Sequence, residues 1–153
     1  MTLLSRYGCL CCLTAATLLS SLLPALAADQ QFQGELDPMP HDNSTRDNVV
    51  GTGTVSATLS GNMLTVSGSF SGLSSPASAA HLEMGLAMGV PGTVIGSLGA
   101  TQGPNGQISG SVKLNAAEIA ALKKGAVYVQ LDSVKAPGGN SWGWLESAET
   151  NRP

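Results

Sequence analysis

Apolar residues recur at every second position along much of this chain. Between Thr52 and Phe70, "TGTVSATLSGNMLTVSGSF", Val55, Ala57 and Leu59 alternate with small polar residues, and the alternation resumes through Leu64, Val66, Gly68 and Phe70. A period of two puts successive side chains on opposite faces of an extended strand, so each run has one apolar and one hydroxyl-rich face. Two such runs separated by Gly61-Asn62 predict a hairpin with its tight turn at those residues. Similar short runs predict further strands in "QQFQGEL", anchored on Phe32, and in "ASAAHLEM", "GTVIGSL" and "GQISGSVKL". In "AVYVQLDS" Val127, Val129 and Leu131 share one face while Tyr128, Gln130 and Asp132 share the other, and "WGWLE" places Trp142 and Trp144 on the same side of a closing strand. The stretches "DPMPHDNSTRDNVVG", "GATQGPNG" and "APGGNS" read as a long loop and two turns by their Pro, Gly, Asn and Asp content.

One segment, "LNAAEIAALKKG", breaks the two-residue period and predicts a helix. Asn115 suits the N-cap, Glu118 stands three residues on as in a capping box, and Gly125 follows Lys123-Lys124 at the C-terminal end. Ile119 and Leu122 fall on one face. A helix of about ten residues is too short to persist alone, so it must pack against strands. Short strands at regular spacing with one helical crossover predict a mainly all-β domain, an antiparallel, Greek-key-like β-sandwich with one short helix.

The N-terminal pattern changes where the chain is expected to work. Arg6, an apolar run and Ala25-Leu26-Ala27 follow the order of a secretory signal peptide, which predicts removal of residues 1–27 and one mature domain over 28–153, its core about 32–146. An uncleaved anchor is the competing reading, but Pro24 and the small residues beside it suit a peptidase site. No cysteine follows the apolar core in the way a lipid anchor requires. The three cysteines, Cys9, Cys11 and Cys12, leave with the signal, so the mature chain has no disulfide although an exported compartment would permit one. Only 11% of the residues are charged, well under the usual quarter, which leaves core packing as the main source of stability. Loss of Arg6 takes the net charge from −3 to −4, with no basic patch for nucleic acid and no segment left for stable membrane insertion. The expected location is periplasmic or extracellular.

The candidate chemistry is sparse. In an extended "AHLEM" His81 and Glu83 point the same way, and Asp132 on another strand would complete a set of imidazole and two carboxylates that suits a divalent metal such as zinc. Met39, Met84 and Met88 add soft thioethers and His41 a second imidazole, donors that suit copper. The alternatives are a histidine hydrogen-bonded at a sheet edge and methionines filling gaps in the core. No serine stands in a nucleophile-elbow pattern, "GATQGPNG" lacks the lysine of a phosphate loop, and Glu35, Asp37 and Glu83, which could form an acid/base pair, read better as surface carboxylates close by chance. Trp142 and Trp144 present two indoles together: exposed, they form a binding surface, and buried, they fill the core.

The blocks "GTVSATLSGNMLTVSGSFSGLSS", "AAHLEMG", "LNAAEIAALKKGAVYVQLDS" and "PGGNSWGWL" resemble, in that order, those of the CHRD domain, which occurs as repeats in chordin and as single copies in exported bacterial proteins. The resemblance runs from about Phe32 to Leu145 and implies a β-sandwich in a secreted protein, with no established catalytic role. Relatives usually read Ala-His-Ile-His-x-Gly where this chain has Glu83 at the second histidine position, often carry histidine at the position of Asp132, and read Gly-Glu-Ile-Arg-Gly-Gln-Leu where it has Gly139 to Leu145. Taken together these readings predict an exported, non-enzymatic binding or interaction module without a cofactor, acting on an unknown protein or surface partner. The alternative is a periplasmic copper- or zinc-binding protein using His81 and Glu83.

Overall fold

A computed structural model describes residues 28–148. The expected signal peptide, residues 1–27, lies outside the described residues. Among the described residues, nine strands and one helix follow in the order β1 (Gln30–Pro38), β2 (Thr52–Ser60), β3 (Met63–Ser71), β4 (Ala77–Met84), β5 (Thr93–Ala100), β6 (Gly106–Lys113), α1 (Ala116–Lys123), β7 (Val127–Ser133), β8 (Ala136–Trp144) and β9 (Glu146–Ser147). Every strand pairing is antiparallel.

The strands close into an eight-stranded barrel, in place of the two-layer sandwich expected from the sequence. The hydrogen-bonded order is β2-β3-β6-β5-β4-β7-β8-β1, and β1 pairs in turn with β2. Two strands make the closure by changing partners along their length. β1 pairs with β2 from Gln30 to Leu36 and then joins β8 through Asp37 and Pro38. β5 pairs with β4 up to Leu98 and then joins β6 through Gly99 and Ala100. Each therefore turns a corner, and the edges that an open sandwich would leave unpaired are satisfied within the ring.

Alternation drives the inside-out assignment. Val55, Ala57 and Leu59 from β2 and Leu64, Val66 and Phe70 from β3 enter the barrel, where they meet Leu82, Ile108, Val129, Leu131 and Leu145. The hairpin turns at Gly61-Asn62, with Ser60 opposite Met63. Helix α1 forms the β6–β7 connection. The Asn115 side chain accepts from the amides of Ala117 and Glu118, and Glu118 Oε2 accepts from the Asn115 amide at 2.8 Å, a complete capping box. Of its apolar face, Leu122 is buried and Ile119 half-buried against the barrel.

One turn falls elsewhere than the sequence suggests. Pro137, Gly138 and Gly139 read as turn residues, yet the chain reverses at Val134-Lys135 and "APGGNS" lies within β8. The strand bulges there: Leu131 pairs with Ser141 but Ser133 with Ala136, so Pro137 needs no ladder amide and Gly139, at φ 123°, supplies the bend. Just past the bulge, Asn140 is fully buried and its Nδ2 donates to the Val50 carbonyl at 2.7 Å, which holds the long β1–β2 connection against β8. Among the described residues no helix is long and apolar enough to cross a membrane.

Candidate functional site

The outer surface of β4, β7 and β8 departs from the simple rule of polar residues facing water. Every residue of β7 is buried, so Tyr128, Gln130 and Asp132 are covered on the outer face while Val127, Val129 and Leu131 fill the inner one. Register explains which side chains meet. Tyr128 lies between Glu83 of β4 and Trp144 of β8, and Gln130 lies between His81 and Trp142. The ring of Tyr128 packs 4.3 Å from Trp144 and 5.8 Å from Trp142, and the two indoles meet edge to face at 5.4 Å. Neither tryptophan enters the core: both stand half-buried on the outer face.

The residues expected to ligate a metal separate into two groups. His81 Nε2 approaches Asp132 Oδ2 at 3.4 Å, and Asp132 Oδ1 accepts from Gln130 Nε2 at 2.9 Å. The other ring nitrogen of His81, Nδ1, is enclosed without a hydrogen-bond partner among the described residues. Glu83, one pleat along β4, turns to Tyr128 instead and accepts its hydroxyl proton at 2.6 Å. The same phenol oxygen accepts from the Gly92 amide at 3.0 Å. Burial first, and then the hydrogen bond to Glu83, push the Tyr128 phenol up to about 12. Among the described residues no three His, Cys, Asp or Glu side chains gather closely enough to hold a metal ion. His41 lies apart on the exposed β1–β2 connection, its Nδ1 within 3.0 Å of the Met39 carbonyl.

An open groove of about 890 Å³ runs beside the tryptophans. Its wall is the seam between β1 and β8–β9. Asp37 pairs with Trp142 and Gln33 with Glu146, and the shared register sets Glu35 alongside Trp144. Carboxylates and indoles therefore alternate along one wall. The floor crosses β2, β3 and β6 and presents Thr54, Ser56, Ser67, Ser69, Gln107 and Ser109, the hydroxyl face of the same alternation whose other face is core. Ser56 and Ser67 hydroxyls lie 3.0 Å apart across the β2–β3 pair. Met88, half exposed on the loop from Gly85 to Gly92, which packs against Trp144, adds to the rim.

The tryptophan pair was visible in the sequence. The carboxylates were visible only as isolated residues, because their alignment with the indoles depends on β1 joining β8, a pairing between distant segments that leaves no local mark.

The chain is thus a closed antiparallel barrel with a groove open on one face. The family model of the CHRD domain matches residues 25–140, most of the chain, and the chain belongs to that family. The match ends two residues before Trp142, so the aromatic wall lies beyond it. No curated protein and no solved structure matches the chain.

Proposed function

We propose that this chain is an exported, non-enzymatic binding module that engages a partner through the groove beside Trp142 and Trp144. Residues 1–27 act as a signal peptide, and residues 28–153 work in the periplasm or outside the cell without a cofactor. The observation that carries this reading is the position of the two tryptophans. Tryptophan side chains are on average well covered in folded proteins, and here both stand half-buried on the outer face at the edge of an 890 Å³ groove. Aromatic residues held rigidly by neighbours are also the usual anchors of interfaces. The lining offers serines but no histidine to activate one, which favours binding over nucleophilic catalysis. The copper or zinc alternative draws less support, since Glu83 is engaged by Tyr128 rather than set beside His81.

The test compares the exported chain with a Trp142→Ala/Trp144→Ala variant of matching circular dichroism, each immobilised and exposed to the contents of its own exported compartment. Material retained by the wild type and lost by the variant supports the groove as the binding surface. Equal retention by both contradicts it.

A further inference from the structure

We infer that the groove takes an extended, arginine-bearing segment of a partner protein. The inference rests on the binding reading above and adds the chemistry of the occupant.

Charge sets the first constraint. Glu35, Asp37 and Glu146 all line the groove, and among the described residues no lysine, arginine or histidine does. A concave surface with one sign of charge concentrates field and selects an occupant of opposite sign. Nucleic acid and anionic lipid surfaces are thereby disfavoured. The alternation along the wall sets the second. Asp37 stands across from Trp142, and Glu35 stands alongside Trp144 in the same register. A guanidinium laid on either indole thus has a carboxylate at the neighbouring strand position, so one group receives both a cation–π contact and a charge-assisted hydrogen bond. Arginine suits this arrangement better than lysine because its planar head stacks and forks at once.

The floor sets the third. Four adjacent strands, β1 at the wall and β2, β3 and β6 across the floor, carry the groove. At about 4.8 Å between neighbours they span roughly 14 Å, the length of about four extended residues. Ser56, Ser67, Ser69, Ser109 and Gln107 along that span can both donate to and accept from peptide groups. A lone small cation would leave most of this floor uncovered.

The experiment titrates the exported chain with hexa-arginine at low ionic strength and follows tryptophan emission. The chain has only two tryptophans and both line the groove, so the signal belongs to the site. A saturable change is expected, weakened about tenfold or more by Glu35→Gln/Asp37→Asn and by raising the salt past a Debye length comparable to the contacts. Hexa-glutamate and a neutral oligosaccharide such as maltohexaose should give no change. Absence of a saturable response to hexa-arginine, insensitivity to the double carboxylate variant, or a response to the neutral oligosaccharide instead would overturn the assignment. If hexa-arginine fails while the tryptophan variant still loses its exported partner, the occupant class is wrong and the groove stands. If both fail, the binding reading falls with it.

Discussion

Tyr128 donates a 2.6 Å hydrogen bond to Glu83 Oε2 with its own side chain wholly buried, and its oxygen accepts from the Gly92 amide at 3.0 Å. One hydroxyl therefore ties β7 to β4 and anchors the loop whose Met88 rims the groove. Tyr128→Phe should leave a buried carboxylate and a loop amide without their partner. A destabilisation of about 1–3 kcal/mol is expected, read as a lower urea midpoint with an unchanged slope. Glu83→Gln keeps an acceptor in place and should cost less. Equal stability of wild type and Tyr128→Phe would show that the hydroxyl contributes nothing.

The same phenol makes stability fall at high pH. Its pKa is raised from the ordinary 10 to about 12 in the fold, so the neutral form is favoured there. The unfolded chain loses this proton near 10 and the folded chain near 12. The stabilisation is complete below pH 10 and is lost as pH rises through 12. Of the chain's two tyrosines, Tyr7 lies in the proposed signal segment, so phenolate absorbance of the mature chain reports Tyr128 alone. The midpoint should lie near 12 while the far-ultraviolet spectrum is native. A midpoint near 10 in the native chain contradicts the burial described for Tyr128.

Gly61 tests the hairpin that sets the register of β2 and β3. Its φ of 61° lies in the left-handed region, and an added Cβ would meet no atom within 4 Å. Gly61→Ala should therefore cost only the backbone conformation, about 1 kcal/mol, with Gly61→Asn milder. Chemical denaturation of the three proteins measures the order. An alanine variant as stable as wild type would contradict the turn geometry.

The carboxylates of the groove should be legible in quenching of the two tryptophans. With Glu35, Asp37 and Glu146 beside them and no cation in the lining among the described residues, Glu35→Gln/Asp37→Asn should weaken quenching by caesium and strengthen quenching by iodide, and added inert salt should shrink both changes. Quenching by both ions that is unchanged in the variant would contradict the charge pattern.

Local features were legible in the sequence because local forces make them. Alternation from Val55 to Phe70 marked β2 and β3, Gly61-Asn62 marked their turn, and Asn115 with Glu118 marked the start of α1. The barrel was not legible. Its closure depends on β1 and β5 exchanging partners at Asp37 and Gly99, and nothing in the period of either strand signals the change. "APGGNS" misled because Pro and Gly serve a strand bulge as readily as a turn. His81 and Glu83 share a face of β4 as expected, but their partners, Asp132 and Tyr128, are chosen by the β4–β7 register. The same holds at the groove: the indoles were conspicuous, while Asp37 acquires meaning only by lying across from Trp142.

The most direct test of the groove as the binding surface is carbene footprinting of the exported chain, alone and in the presence of its own compartment's contents, read peptide by peptide. Labelling should fall at Trp142, Trp144, Glu35 and Asp37 and stay constant on the exposed side of α1. Unchanged labelling at those four residues, or protection confined to another face, would contradict the account.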